Sequence, residues 1–202
     1  ASDVYKRQED TFEGYKELEK KYGDKFKLVK WDGIFNYSAI NNFGARYAKG
    51  EYILLLNNDT SVIEPDSLRC MLAQCQRAEV GIVGAKLLYD DDTVQHAGVI
   101  IGYQGVAGHA FTGIGDDVYG YFARAVLSQE LSAVTAACLL TKRSVFDEVG
   151  GLDESFEVAF NDIDYCMKVR AAGYKIIYDP HAKLHHLSLI HISEPTRLDV
   201  IS

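Results

Sequence analysis

KGEYILLLNNDTSV, residues 49–62, is the stretch that decides the fold. Tyr52 to Leu56 is an unbroken apolar run behind Gly50, which suits a strand buried on both faces of a parallel sheet. The run stops at Asn57-Asn58-Asp59-Thr60. Open α/β sheets bind ligands beyond the carboxyl ends of their strands, so four polar residues there form a candidate site. An acid fixed at that point, with amide neighbours, can hold a divalent cation against phosphate oxygens, because hard cations take oxygen ligands and magnesium shares its shell with substrate phosphates. A strand followed by a plain Asn/Asp turn explains the same four residues equally well.

Upstream of this stretch, Thr11 to Tyr22 carries Phe12, Tyr15 and Leu18 at helical spacing, and Gly23-Asp24 ends it. Phe26 to Trp31 alternates like a strand. Residues 34–47 become helical behind Asn36 or Ser38 as N-cap. The resulting αβαβ order predicts a parallel sheet with covering helices. Downstream, Pro65 opens a helix over Asp66 to Arg77 with Leu68, Met71, Leu72 and Cys75 on one face. Val80 to Tyr89 and Val94 to Ile101 read as strands, and Gly102 to Tyr121 is a Gly-rich loop of the length that is usually functional or disordered. Leu131 to Thr141 is a second buried run, followed by a short helix over Lys142 to Val149. A helix from about Asn161 to Ala172 is closed by Gly173, and Lys175 to Tyr178 and Ala182 to His186 close the readable part.

The 202 residues suffice for one domain, and 48% apolar with 25% charged is the composition of a soluble globular protein. A net charge of -8 argues against non-specific nucleic-acid binding, and no stretch is long enough to span a bilayer, which leaves only peripheral membrane contact. Cys70, Cys75, Cys138 and Cys166 lack metal-ligand spacing and read as reduced thiols of a cytoplasmic protein. Residues 1–8 and 187–202 resemble in-frame translations of an adapter used to build sequencing libraries. The organisation expected is therefore two scars around a partial domain at 9–186, with the net charge unchanged by their removal.

Several side chains downstream could carry chemistry. Asp90-Asp91-Asp92 reads as a solvated turn rather than a metal site. Asn161 or Asp162 can cap the last helix, which alone justifies an acid there. Asp162 and Asp164 are two apart and so face different ways. His185 and His186 could be a surface pair on the last strand, and His96 and His109, flanking the Gly-rich loop, could each be a hydrogen-bonded structural histidine. Gly150-Gly151 and Asp153-Glu154 fit a helix C-cap followed by a capping acid as well as they fit a binding turn.

The ordered set NYSAINNFGARYAKGEYILLLNND, AKLLYDDDTVQHAGV, VTAACLLTKRSVFDEVGGLDE, FNDIDYCMKVRAAGY and HAKLHH resembles the family 2 glycosyltransferases of the GT-A fold, in particular the rhamnosyltransferase-like enzymes of bacterial surface polysaccharide assembly. The resemblance covers 9–186 and implies an α/β, Rossmann-like GT-A sandwich. It also implies a nucleotide-sugar donor, Mn2+ or Mg2+, inversion at the anomeric carbon, and a saccharide or lipid-linked acceptor at the inner face of the cytoplasmic membrane. Asn57-Asn58-Asp59 matches the family's metal motif, commonly Asp-X-Asp; Asn in first place leaves Asp59 as the ionic ligand and Asn57 as a water-mediated or ribose contact. Asp162 matches the acid that takes the acceptor proton, although Asn161 stands where Glu is usual. His185 matches a metal-site histidine, with His186 as the alternative. Asn41, Asn42 and Arg46 fall where members approach the nucleotide, Gly151, Asp153 and Glu154 match an acceptor-side turn, and His96 and His109 are weaker candidates for donor sugar or acceptor.

The resemblance also implies an absence. Members open with strands that hold the base and ribose, and nothing in 1–8 supplies them, so the domain is expected to be incomplete at its N-terminus and inactive as it stands. A non-catalytic nucleotide-sugar or glycan-binding domain on the same scaffold is the competing function, since fold alone does not fix function. A nucleotidyltransferase is more distant, having no need of Asp162. Geometry separates these readings: Asp162 facing a shared cleft with Asp59 favours catalysis, and Asp162 turned away favours binding.

Overall fold

The structure, a computed structural model, describes residues 13–103 and 105–187 and the backbone of 200 and 201. The segment expected as a scar at 1–8, and nearly all of that at 187–202, lie outside the described residues. Helix α1 (13–22) precedes the short strand β1 (Leu28–Val29) and helix α2 (Tyr37–Ala45), where Asn36 is the N-cap and its side chain accepts the Ala39 N–H at 2.8 Å. Strands β2 (Tyr52–Leu56) and β3 (Thr60–Val62) flank the Asn-Asn-Asp turn, and α3 (Ser67–Cys75) leads into β4 (Val80–Leu88). Then come β5 (Val94–His96), β6 (Val99–Ile101), β7 (Ala107–His109), β8 (Gln129–Leu131) and β9 (Cys138–Lys142). Helices α4 (Arg143–Glu148) and α5 (Asn161–Ala171), the long strand β10 (Lys175–His186) and β11 (Val200–Ile201) complete the order.

The main sheet runs β2-β9-β4-β10-β3, with β5 joined to β4 and β8 to β10. It is a mixed sheet, which corrects the expectation of a parallel one: β4 and β10 are parallel and the other pairings are antiparallel. The αβαβ order misled because β1 leaves this sheet altogether, pairing with β11, while β2 takes as its neighbour β9, which arrives much later in the chain. Consequently β2 is an edge strand among the described residues. Ile53 and Leu55 are buried and Leu56 is exposed, the alternation of a strand covered on one face rather than the two-sided burial expected of the run. The strand buried throughout is β4.

Helices cover both faces. On one side Val145 and Phe146 of α4 and Tyr165 and Val169 of α5 pack with Ile53, Leu55 and Ile82; on the other Met71 and Cys75 of α3 pack with Val83, Leu87 and Leu184. Leu68, expected on the apolar face of α3, is 55% exposed; in the first turn it is Ser67 that is buried, its Oγ accepting the Lys183 N–H and donating to Glu64 O. Gly84 is dictated by packing: a Cβ there would lie 2.5 Å from Val134 Cβ. All four cysteines are free, and burial pushes the Cys75 thiol up to about 11 and Cys138 up to about 12, so these are inert core thiols.

Three other details position the site. Gly98, at φ +98 and with Leu131 Cδ1 where a Cβ would go, splits the expected strand at 94–101 into β5 and β6. Lys175 to His186 is one strand instead of two, with the register shifting between Asp179 and Lys183 where Pro180 lies, since a proline survives in a sheet at such a bulge. Inside the long loop, Asp116 is tied down by Lys86 Nζ at 2.7 Å and Lys183 Nζ at 2.6 Å, although Lys86 is itself fully buried. Burial alone would raise the Asp116 carboxyl, but hydrogen bonds from Lys183 and Lys86 outweigh it and hold the group below the usual range.

Candidate active site

The Asn57 N–H donates to Ala137 O at 3.0 Å, extending the β2–β9 ladder one step past Leu56, and Thr60 Oγ1 donates to Asn57 O at 2.8 Å. The antiparallel register of β3 on β10 sets His186 opposite Thr60. His186 Nε2 therefore arrives 3.2 Å from Asp59 Oδ1 and 3.1 Å from Asn57 Nδ2. Its Nδ1 lies 2.6 Å from Gln95 Oε1, and an amide oxygen there requires the imidazole proton on Nδ1, leaving Nε2 as a lone pair aimed at the turn. Burial holds His186 below its ordinary value, more than the Asp59 charge raises it. His185, one residue earlier on the strand, points the other way, and its Nε2 meets the exposed Asp92 at 2.8 Å. Asn58 is exposed.

This group suits a divalent cation. Asp59 Oδ1 and Asn57 Oδ1 are buried without a hydrogen-bond donor, and buried polar atoms of this kind call for a partner. The chain's contribution stays small, for among the described residues no three His, Cys, Asp or Glu side chains converge on one point. That number suits a metal which completes its shell with water and phosphate oxygens.

Asp162 lies one dipeptide away. Phe160, in the left-handed region at φ 62, is the N-cap of α5 and makes no side-chain cap, so neither Asn161 nor Asp162 caps the helix as expected. Instead Asn161 Oδ1 accepts the Asp162 N–H, and the Asp162 carboxylate accepts the Ile163 N–H at 2.8 Å and the Ala136 N–H at 3.3 Å. The Ala136-Ala137 segment thus joins the two acidic centres, donating to Asp162 on one side and accepting from Asn57 on the other. The buried Tyr37 hydroxyl donates to Ala136 O at 3.1 Å; burial, and then the charge of Asp162, raise its pKa. Asp162, Asn161 and His109 line a cleft of about 220 Å3 with Val99, Gly108 and Phe160.

His96 is fully buried behind that cleft, its Nδ1 2.8 Å from His109 Nδ1 with the rings edge to face. Burial, then the neighbouring His109 and His186, hold His96 well below its ordinary value; burial also lowers His109, against the opposing charge of Asp162. A depressed folded-state pKa means that the unfolded chain binds the proton more readily. Stability from His96 is therefore fully present above the unfolded value of about 6.5 and lost as pH falls through the lower folded value. Thermal melts should show the wild type losing stability on acidification through this window, with a shallower slope in His96→Gln; equal slopes would refute the assignment.

The remaining candidates gather elsewhere. Asn42 donates to Leu152 O and Glu154 Oε1 and accepts the Leu152 N–H, so its amide is fully engaged in holding the Gly150-Gly151 turn. Asn41 Nδ2 donates to Tyr37 O within α2, and Asp153 Oδ1 accepts the Ser155 N–H. Asn42, exposed Arg46, Gly151 and Glu154 line a second, open cleft of about 370 Å3 with Arg143 and Asp147, none of which lines the Asp162 cleft. Asp91 accepts from Thr93 N and Oγ1, the expected solvated turn. Gln95, Tyr37 and Ala136 carry the geometry of the site without having been singled out by sequence. The only available signal was the adjacency of Gln95 to His96.

The chain is 49% identical over 178 residues to the protein y4gI of Sinorhizobium fredii, covering 88% of this chain and 20% of that one. It is 40% identical over 178 residues to the O-antigen biosynthesis protein RfbC of Myxococcus xanthus, covering 87% and 14%. The chain thus spans a fifth or less of the length of these curated relatives. The mannosyltransferase PcManGT of Pyrobaculum calidifontis, solved with GDP-Man and Mn2+, superposes with a TM-score of 0.54 at 15% identity, over 79% of this chain and 39% of that one, which shows a shared GT-A fold. Among the described residues no helix is long and apolar enough to cross a membrane. The model of the glycosyltransferase like family 2 matches residues 2–199, and the chain belongs to that family.

Proposed function

We propose that this chain carries the catalytic centre of an inverting, metal-dependent glycosyltransferase that moves a sugar from a nucleotide-sugar donor to a hydroxyl of a saccharide or lipid-linked acceptor in surface polysaccharide assembly. The carrying observation is the Ala136-Ala137 segment, which holds the Asp59 turn and Asp162 at one place. A transferase needs both halves together: a site for the diphosphate and a carboxylate that accepts the proton of the attacking hydroxyl. Asp59, Asn57 and His186 would hold Mn2+ or Mg2+, which supplies positive charge against the departing diphosphate. Gln95 keeps His186 in the ligating tautomer, and Tyr37 steadies Ala136, whose N–H positions Asp162. The name of RfbC supports the polysaccharide setting, and the bound GDP-Man and Mn2+ of PcManGT support the donor class and the metal. The motif resemblance favours a hexosyl or rhamnosyl group and work at the cytoplasmic face of the membrane.

Calorimetry of Mn2+-dependent UDP, GDP and dTDP binding tests the metal half. His186→Ala should weaken the tightest of these by on the order of 10–100-fold, while His185→Ala leaves it unchanged. The opposite pattern would move the ligand to His185, and no Mn2+-dependent binding of any of the three would refute the metal site.

A further inference from the structure

The His96–His109 pair has a direction. Nε2 of His96 accepts the Thr135 backbone N–H at 3.4 Å, so the proton of neutral His96 sits on Nδ1. That Nδ1–H donates to His109 Nδ1 at 2.8 Å. His109 must then carry its own proton on Nε2, on a ring in the wall of the Asp162 cleft. The same wall holds a second unspent donor. Asn161 is 5% exposed, its Oδ1 is taken by the Asp162 N–H, and its Nδ2 has no hydrogen-bond partner. A buried amide N–H2 without an acceptor is costly unless a ligand supplies one.

The cleft therefore offers one carboxylate and two donors within one wall. The carboxylate suits a hydroxyl that gives up its proton. The donors suit an oxygen that keeps its lone pairs free, and two such oxygens at neighbouring positions are a vicinal diol of a sugar ring. We propose that His109 and Asn161 recognise a second acceptor oxygen adjacent to the hydroxyl activated by Asp162, so that the cleft selects a vicinal diol over an isolated alcohol; this rests on the reading of Asp162 as the base. His96 is a positioning residue here, fixing the His109 tautomer from behind.

The test uses binding rather than turnover. The intact protein is titrated with methyl α-L-rhamnopyranoside, methyl α-D-mannopyranoside, trans-1,2-cyclohexanediol and cyclohexanol while the Asn161 side-chain amide and the His109 ring are followed by NMR. The glycosides and the diol should shift both signals, and cyclohexanol neither. His109→Phe and Asn161→Leu should each weaken glycoside binding roughly tenfold, the effect of losing one hydrogen bond of ordinary strength, while His109→Gln, whose Nε2 replaces the ring donor, retains it. Equal binding of cyclohexanol and the diol, no shift with any probe, or wild-type affinity in both His109→Phe and Asn161→Leu would overturn the proposal. Asp162→Asn separates the two readings: wild-type turnover in that variant would remove the base, whereas the diol titration reports on the donors whatever the turnover.

Discussion

Asp162→Asn should lower sugar transfer by the intact protein by on the order of 10²-fold or more, with Mn2+-dependent nucleotide binding retained. The carboxylate sits where it can take a proton, held by the Ala136 and Ile163 N–H groups on the wall of a cleft large enough for part of a sugar. Asn keeps the size and one acceptor oxygen for Ile163, so the helix start should survive. Near-normal turnover with an unaltered melting temperature would assign Asp162 to holding the Ala136 loop and nothing more.

Asp59→Ala should abolish Mn2+-dependent nucleotide binding outright. Its Oδ1 is buried with no hydrogen-bond donor, 3.2 Å from His186 Nε2, and a buried carboxylate oxygen so placed calls for a cation. Removing the carboxylate takes away the only formal negative charge in that group, so the loss should exceed that in His186→Ala. Calorimetry with Mn2+ and the tightest-binding of UDP, GDP and dTDP reads both, and equal affinity in wild type and Asp59→Ala would sink the site.

The two acids of the candidate site stood out in the sequence because each interrupts a strongly patterned element: Asp59 follows an apolar strand, and Asp162 lies in the first turn of a helix. What was not legible depends on register. His185 and His186 are neighbours on a strand and face opposite ways, and only the pairing of His186 with Thr60 decides which one meets Asp59. Gln95 stands far from His186 in sequence and matters only because β5 and the end of β10 both pair with the end of β4, which brings Gln95 Nε2 to His186 O. Asn42 looked like a nucleotide contact, yet its amide is engaged by a turn formed over a hundred residues later. The same limit explains the sheet. Alternation of helices and strands gave the α/β class, but not that β2 would lie at an edge, because strand neighbours are set by distant partners.

The clamp of Asp116 between Lys86 and Lys183 makes the two ends of the long loop unequal in the cost of opening them. Detaching Asp116 would leave a fully buried ammonium without its counter-charge, so that end opens only in rare, slow events. The stretch carrying His109 is held by neutral contacts instead: it is a two-stranded ribbon of β6 and β7 whose base rests on the buried His96 and whose tip is exposed at Tyr103 and Val106. Displacing that tip uncovers no buried charge and so costs less than freeing Asp116. An acceptor entering the Asp162 cleft would thus meet a wall whose ribbon tip is easier to displace than the end of the loop pinned by Asp116.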